Sequence, residues 1–237
     1  MITVVTWLWK GTSWRNTYTA EHVNILQRMV AVNLHLPHRF ICVTDMPEGI
    51  NCETLPLVDL GVKPIMPDWP NCYNRLRAFG EEMGVQLSHN GDRFISIDLD
   101  TVIVDDITPL ISRSEDFVIL EGKSCHYNGS LWMMKPGARK KVWEEFDPAV
   151  SPIMSMQGQN KGGGRFYGSD QAWISYCLGD GEATWKLGEN GLYQFTEINS
   201  LKAPIDARLI FFAGDLKPWT ENPLDDLRGI YNKYRLV

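Results

Sequence analysis

Several common sequence features are absent from this chain, and their absence excludes whole classes of function. The five cysteines form no Cys-X-X-Cys pair, so neither a zinc ribbon nor a redox dithiol is indicated. No run of about 18 apolar residues is present, and we therefore expect no membrane-spanning helix. The first residues also lack the pattern of a secretory signal peptide. We therefore expect a reduced, cytoplasmic protein.

Basic residues are too few for a general nucleic-acid binder. The 23 lysines and arginines are outnumbered by 29 aspartates and glutamates, which gives a net charge of −6, whereas such binders carry a basic stripe. Residues 7–14, which follow the first predicted strand, contain one glycine, Gly11. Nucleotidyltransferases that make activated sugars have a glycine-rich phosphate-binding loop at that place, so this class of enzyme is disfavoured.

The residues that are present follow the pattern of one α/β domain. Apolar spacing predicts a strand over 2–7, a helix over 20–36 and a strand over 39–44, which form a βαβ unit and begin a parallel sheet. No repeat or change in composition marks a second domain, so we expect a single domain over 1–237. The other predicted elements are helices over 72–83, 136–146 and 169–178, strands over 93–104, 116–120, 128–135 and 207–212, and a glycine-rich loop over 155–168.

The most informative segment is the apolar run from Arg93 to Val104, which Asp98 and Asp100 interrupt. Residues two apart in an extended segment project from the same face, so the two carboxylates point together. Unpaired carboxylates are costly in a buried strand. That cost disappears if they lie at the carboxyl end of the strand and share a cation in a cleft. Two carboxylates and substrate phosphates suit Mg²⁺ or Mn²⁺; two solvated aspartates at a strand end are the simpler alternative.

Four other segments carry polar residues suited to the same site. They are Cys72-Tyr-Asn-Arg-Leu-Arg77, Tyr127-Asn-Gly-Ser-Leu-Trp-Met133, Gly168-Ser-Asp-Gln-Ala-Trp173 and Phe211-Phe-Ala-Gly-Asp-Leu-Lys-Pro-Trp219. With the Asp-X-Asp, and in this order, they resemble GT-A-type nucleotide-sugar glycosyltransferases, closest to the glycogenin-like and galactosyltransferase-like enzymes of family 8 and their bacterial and phage relatives. The resemblance covers most of the chain. It implies an α/β, Rossmann-like GT-A domain with a mixed, mainly parallel sheet flanked by helices.

The resemblance assigns Asp98 and Asp100 to a metal site. In the family both carboxylates of the Asp-X-Asp hold Mn²⁺ or Mg²⁺ against the donor diphosphate, and the first also approaches the ribose. The family usually adds a histidine ligand shortly before a lysine near the C-terminus. The matching stretch here, Phe211 to Asp215, has no histidine. Water or another group, with Asp215 as one candidate, would have to complete the coordination.

The resemblance also implies four residues that bind the donor. Arg75 matches a basic residue near the donor sugar and phosphates, and its alternative is a surface arginine. Asn128 matches an asparagine that binds sugar hydroxyls, and a capped turn is its alternative. Lys217 matches the lysine that reaches the diphosphate, and Gly214 matches the glycine that lets the backbone approach it.

Asp170 and Gln171 match the Asp-Gln pair that lies at the centre of sugar transfer in the family. Asp170 is then a candidate stabiliser or transient nucleophile. The simpler alternative is a helix start, where the helix dipole favours an acidic residue in the first turn. The two interpretations are compatible.

The end of the first strand is expected to receive the nucleotide base, as in other open α/β sheets. Thr6 and Trp7 lie at this end, and Trp7 or Tyr18 could cover the base. Packing in the core is an equal alternative for each ring. The loop over 155–168 could close over the donor or could simply be disordered.

The resemblance implies transfer of a sugar from a nucleoside diphosphate sugar to an acceptor. A UDP-sugar is the expected donor. Family 8 relatives retain the anomeric configuration, so a retaining hexosyl- or pentosyltransferase is implied. The sequence does not distinguish among a glycan, a protein, a small molecule and a modified base in phage DNA as the acceptor. It does not determine the oligomeric state either. A non-catalytic nucleotide-sugar binder, with an altered metal site, is the alternative from another class.

Overall fold

The structure is a computed structural model that describes residues 1–11, 18–62, 72–156, 169–198, 202–220 and 225–235. Most of the glycine-rich loop predicted over 155–168 lies outside the described residues. In the described ranges, no helix combines the length and apolar character needed to cross a membrane.

The strands in the described ranges form a large mixed sheet and a smaller second sheet. In chain order they are β1 (Ile2–Leu8), β2 (His38–Thr44), β3 (Glu53–Pro56), β4 (Phe94–Ile97), β5 (Thr101–Ile103), β6 (Phe117–Glu121), β7 (Tyr127–Met134), β8 (Thr184–Trp185), β9 (Leu192–Gln194) and β10 (Leu209–Phe211). The large sheet has the order β3-β2-β1-β4-β7-β6-β8, and the small sheet has the order β5-β10-β9.

The direction of the strands positions the site. Strands β3, β2, β1 and β4 are parallel, as the sequence predicted for the amino end, whereas β7 runs antiparallel to β4. The order reverses at β1, because β2 pairs on one side of it and β4 on the other. Ligands of open α/β sheets bind at such a switch point, outside the carboxyl ends of the strands. The amino end of β7 lies at this same edge because β7 is antiparallel.

The predicted strand over 93–104 is broken at the aspartates. Strand β4 ends at Ile97 in the large sheet, and β5 begins at Thr101 in the small sheet. The chain leaves one sheet and enters the other across residues 98–100. Asp98 and Asp100 therefore follow the carboxyl end of β4, as expected for a shared cation site, and lie in a connection between two sheets.

The helices in the described ranges follow the prediction only in part. They are α1 (Ala20–Asn33), α2 (Glu81–Leu87), α3 (Thr108–Ile111), α4 (Lys141–Glu144), α5 (Ser151–Met154), α6 (Asp170–Leu178) and α7 (Asp225–Lys233), with 3₁₀ helices at Cys72–Phe79 and Phe195–Glu197. Helix α1 ends three residues before the predicted position, because Leu34 is already extended ahead of Pro37.

Two of the segments predicted as α-helices have a different secondary structure. The helix over 72–83 is a 3₁₀ helix that stops at Gly80, followed by α2. A Cβ at Gly80 would lie 2.7 Å from Cδ1 of Trp143, so close packing of this indole requires the glycine. The segment over 136–146 is mostly turns, with helix only at α4.

Two apolar clusters flank the large sheet. One contains side chains of α1 and α7 together with residues of both sheets, for example Val4, Val102 and Leu209. The other contains Leu76 of the first 3₁₀ helix, Trp132 of β7 and Trp173 of α6. These clusters hold α1, α6 and the 3₁₀ helix against the sheet, with their polar residues near its carboxyl edge.

Candidate active site

Backbone hydrogen bonds bring the predicted segments to one edge of the sheet. The Asp98 N–H donates to the Ser130 carbonyl oxygen at 3.1 Å, which joins the Asp-X-Asp to the amino half of β7. The Phe212 N–H donates to the Asp100 carbonyl oxygen at 3.0 Å. The C-terminal segment that carries Lys217 therefore lies directly against the aspartates.

One guanidinium joins two of the predicted carboxylates. Arg75 Nη1 donates to Asp98 Oδ1, and Arg75 Nη2 lies 2.6 Å from Asp170 Oδ2. Arg75 and Asp170 are almost completely buried, whereas the Asp98 side chain is 24% exposed. The simpler interpretation of Arg75 as a surface arginine is therefore wrong. Asp98 is the member of this triad that faces solvent.

Asp100 is held by a second pair of groups. Lys217 Nζ donates to Asp100 Oδ2 at 2.5 Å, and the Tyr18 hydroxyl donates to the same oxygen at 2.9 Å. Lys217 Nζ also lies 5.4 Å from the centroid of the Tyr18 ring, within reach of a cation–π interaction. Tyr18 is therefore a partner of the Asp-X-Asp.

The cluster carries an excess of negative charge. Among the described residues its carboxylates are Asp98, Asp100 and Asp170, and its cations are Arg75 and Lys217, so one negative charge has no matching cation when all three carboxylates are ionised. Burial raises the pKa of Asp170, and Asp98 raises it further while Arg75 opposes the change. Burial likewise raises the pKa of Asp100, with Lys217 opposing and Asp98 adding to it. A further positive charge at this edge would be stabilised.

Gly129 is a site residue that the sequence analysis did not single out. A Cβ at this position would lie 2.9 Å from Arg75 Nη2 and 3.0 Å from Asp170 Oδ2. Its N–H donates to Gln171 Oε1 at 3.2 Å. The missing side chain makes room for the Arg75–Asp170 pair, while the backbone orients Gln171. In this segment the sequence had assigned a role to the neighbouring Asn128 alone.

The side chains of Thr6 and Trp7 do not face the site. Thr6 Oγ1 donates to the Ile97 carbonyl oxygen at 2.9 Å, and Trp7 Nε1 donates to Ser96 Oγ at 2.9 Å. Thr6 is fully buried, and Trp7 is 5% exposed within the core. The Trp7 ring packs in the core, which was the equal alternative to covering the base.

Asn128 and Gly214 have local backbone roles. Asn128 Oδ1 accepts a hydrogen bond from the Ser130 N–H at 2.9 Å, the capped turn that was its alternative. Gly214 adopts a φ of 71°, in the left-handed region that glycine tolerates best. A Cβ there would meet no atom within 4 Å, so backbone conformation and not crowding favours the glycine.

Ser169 precedes α6, as predicted, but its side chain makes no capping hydrogen bond to the helix. Asp170 is the acidic residue of the first turn of this helix. Because its carboxylate is also paired with Arg75, the helix-start and active-site interpretations of Asp170 remain compatible.

Within the described part of the chain, the metal site predicted at Asp98 and Asp100 has no third protein ligand of the usual acidic, histidine or cysteine type. Among the described residues, which include Asp215, no group of three or more such side chains is arranged to hold a metal ion. Asp215 was one candidate for the place of the family histidine, beside water or another group, and no such group of ligands contains it among the described residues. A cation at the two aspartates would need oxygens from a ligand or from water.

The fold was compared with known proteins. No family model and no curated protein matches the sequence. The galactosyltransferase LgtC, solved in complex with donor and acceptor sugar analogues, is 11% identical, with a TM-score of 0.59 over 98% of this chain and 95% of LgtC. The glycosyltransferase GlyE of Streptococcus pneumoniae TIGR4 is 12% identical, with a TM-score of 0.62 over 100% of this chain and 61% of GlyE.

The bifunctional glycosyltransferase WbbM is 12% identical, with a TM-score of 0.56 over 97% of this chain and 49% of WbbM. Identities this low show the fold and leave the substrates to be argued from the site. This chain therefore has the mixed α/β fold of these glycosyltransferases, the GT-A fold that the sequence predicted.

Proposed function

We propose that this chain is a metal-dependent glycosyltransferase that moves a sugar from a UDP-sugar to an acceptor, with retention of the anomeric configuration. The observation that carries the proposal is the cluster at the carboxyl edge of the sheet. It gathers Arg75, Asp98, Asp100, Asp170 and Lys217 from four separate segments. Buried charges of this kind are costly, and a scaffold has no need to assemble them.

The donor set fits a hard divalent cation. Carboxylate oxygens are the ligands that Mg²⁺ and Mn²⁺ prefer, and the excess negative charge favours a cation. Asp98 and Asp100 would hold the ion, with phosphate oxygens and water completing its shell. When bound, the cation neutralises charge on the leaving diphosphate. Without it, a diphosphate would meet a cluster that is already negative, and we therefore expect donor binding to depend on the metal.

The two basic residues have distinct roles toward the donor. Lys217 is the more accessible, with 12% of its side chain exposed against 7% for Arg75. Its flexible stem lets the ammonium leave Asp100 and reach a phosphate oxygen. Arg75 holds Asp98 and Asp170 in fixed positions because its planar fork donates in two directions.

Asp170 and Gln171 face the bond that changes. The bond between the anomeric carbon and the phosphate oxygen breaks, and a bond from that carbon to the acceptor oxygen forms on the same face. The acceptor proton passes to the leaving phosphate. Asp170 stabilises the positive charge that develops on the sugar ring, as carboxylates do at oxocarbenium-like transition states. Gln171, fixed by Gly129, orients the sugar; LgtC also has an active-site glutamine.

The test pairs two substitutions with a matched control. Asp98→Asn and Asp100→Asn should each abolish turnover of UDP-sugars with Mn²⁺ while far-UV circular dichroism stays unchanged, because a lost ligand charge removes several kcal/mol of stabilisation. Asp105→Asn, at an exposed carboxylate nearby, should retain the normal rate. The substrates are UDP-glucose, UDP-galactose and UDP-N-acetylglucosamine. Near-normal rates in both variants at saturating Mn²⁺ would contradict the metal assignment.

Calorimetry tests donor binding separately from turnover. UDP should bind only weakly without Mn²⁺ and more tightly with it, and Lys217→Ala should weaken the metal-dependent binding about tenfold, the effect of one charged hydrogen bond. Lys186→Ala, at an exposed lysine outside the cluster, is the control. Equal UDP affinity under all these conditions would exclude the proposed roles of Lys217 and the metal.

A further inference from the structure

A cleft lies near the cluster, on the far side of Tyr18 from Asp100. It has a volume of about 150 Å³ and lies between α1 and the C-terminal helix α7. Its lining residues are Glu21, His22, Ile25, Trp219, Tyr231 and Arg235. None of them has a role in the donor site described above. The volume suits one six-membered ring, since a cavity of about this size holds benzene.

The interior of the cleft is aromatic. The Trp219 and His22 rings pack with centroids 3.9 Å apart, and Trp219 also contacts Tyr231 at 5.7 Å. Trp219 and His22 are both partly exposed. Ile25, which is buried, adds an aliphatic surface. Such walls suit the C–H faces of a sugar ring, or another flat and largely apolar group.

The rim of the cleft, as far as the structure describes it, is polar, and its two charges are paired. Arg235 Nε donates to Glu21 Oε1 at 2.8 Å, and about half of each side chain is exposed. The guanidinium keeps further N–H donors and the carboxylate keeps further acceptor sites. Burial lowers the pKa of His22 to about 4, so this ring adds no charge at neutral pH. The paired charges favour neither an anion nor a cation, and they match a neutral ring that carries hydroxyl groups.

Aromatic contacts link the cleft to the Asp-X-Asp. The Tyr18 ring meets Trp219 edge-on with centroids 5.6 Å apart, and the Tyr18 hydroxyl binds Asp100. The cleft is thus separated from Asp100 by one aromatic side chain. A ring bound here would lie across Tyr18 from Asp100, outside the group of residues assigned to the donor.

We propose that this cleft binds one neutral pyranose unit of a glycan acceptor, an inference that rests on the proposed function. Trp219 packs against the face of the ring, while Glu21 and Arg235 bind its hydroxyl groups. The acceptor is then an oligosaccharide or a glycan chain, one unit of which is held between α1 and α7. A protein side chain or a DNA base as acceptor would leave the cleft unused.

The experiment uses the full chain and methyl pyranosides of glucose, galactose, mannose and N-acetylglucosamine as probes. Saturation-transfer NMR should detect binding of at least one of them in the millimolar range. Glu21→Ala and Arg235→Ala should each weaken that binding about tenfold, as expected when a hydrogen bond to a charged group is lost. Lys233→Ala is the control, because Lys233 is an exposed cation at the end of the same helix and does not line the cleft.

UDP-sugar hydrolysis, measured on the same proteins, separates the two proposals. All three variants should hydrolyse the donor at the wild-type rate, because water replaces the acceptor. The assignment of the cleft is overturned if the chain hydrolyses a UDP-sugar but binds no pyranoside. It is also overturned if neither Glu21→Ala nor Arg235→Ala weakens pyranoside binding. The chain could instead bind a pyranoside through Glu21 and Arg235 and turn over none of the UDP-sugars. That result would contradict the proposed function, and it would still support a neutral pyranose as the ligand of the cleft.

Discussion

At the scale of single residues, the site depends on one arginine between two aspartates. Arg75 is buried, and its cost of burial is offset only because Asp98 and Asp170 both lie against it. The two carboxylates raise the pKa of Arg75 against the effect of burial, so the guanidinium stays charged. A lysine could not replace it, since an ammonium is a point charge and cannot span two separate carboxylates in a plane.

Asp170→Asn distinguishes a role in chemistry from a role in structure. If Asp170 acts on the reacting sugar, the single-turnover rate should fall at least about a hundredfold while donor affinity changes little, because the interaction forms mainly in the transition state. The exposed Asp180 just beyond α6 provides the control, Asp180→Asn. A variant that melts earlier and transfers sugar at the normal rate would return Asp170 to a helix-start role.

His22 makes the stability of the protein depend on pH. Its Nδ1 accepts a hydrogen bond from the Thr19 N–H at 2.8 Å, which requires the unprotonated ring. Burial lowers its pKa from 6.5 to about 4, so the unfolded chain binds more protons in this window and stability is lost as pH falls through it. His22→Gln keeps an acceptor for Thr19 and removes the titration.

We expect the wild type to lose about 1 to 3 kcal/mol more than His22→Gln between pH 7 and pH 4, since each pKa unit is worth about 1.4 kcal/mol and solvent screens a partly exposed ring. Urea unfolding at both pH values measures this difference. Identical losses for the two proteins would show that His22 is not the titrating group.

At the scale of elements, the site forms where three of them end. Strand β4 ends before Asp98, Gly129 is the third residue of β7, and α6 begins with Asp170. The antiparallel direction of β7 matters here, because a parallel strand would place Gly129 at the opposite edge of the sheet. The close approach of α6 to β7 then depends on the absence of a side chain at Gly129.

Gly129→Ala should disrupt this junction. The new Cβ would lie at about the distance of a hydrogen bond from both charged groups, so the Arg75–Asp170 pair must separate or the helix must shift. We expect turnover to fall by more than about tenfold and stability to fall by about 1–3 kcal/mol, as in other overpacked sites. Kinetics and urea unfolding measure the two effects.

Gly229→Ala in α7 is the matched control, because a Cβ there meets no atom of the described residues within 4 Å. This exposed helical position should gain about 0.5–1 kcal/mol. If both alanine variants behaved alike, crowding at Gly129 would not explain the result.

At the scale of the whole molecule, both sheets share one apolar cluster. Val4 of the large sheet, Val102 and Leu209 of the small sheet, and Leu26 and Leu227 of helices α1 and α7 belong to it. A shared cluster couples the stability of the two sheets, because neither can open without exposing the apolar surface of the other. This is the physical basis for expecting one domain.

Thermal unfolding should therefore be a single transition. Far-UV circular dichroism, which follows the backbone, and tryptophan fluorescence, which follows the packing, should give the same midpoint. UDP with Mn²⁺ should raise that midpoint by mass action, whereas UDP alone should have a smaller effect. Two separate transitions would contradict the single-domain prediction.

The sequence by itself determined the parts of the fold that depend on local patterns. Apolar spacing predicted β1, α1 and β2 and their parallel arrangement, because a βαβ unit has one favoured geometry. The five motifs, together with their order, predicted the GT-A fold. The contacts among the charged residues were only implied by resemblance, since side chains from residues 75, 98, 170 and 217 meet through tertiary packing alone.

The tertiary structure decided what local patterns leave open. The aspartates lie in a connection between sheets because β4 and β5 find different partners, although the apolar run continues through both. Trp7 packs in the core while Tyr18 reaches Asp100. The sequence had made both rings equal candidates for covering the nucleotide base. Gly129 makes room for the Arg75–Asp170 pair, a role that depends on the packing of α6 against β7. Each of these outcomes depends on a neighbour distant in sequence, and the local pattern carries no information about that neighbour.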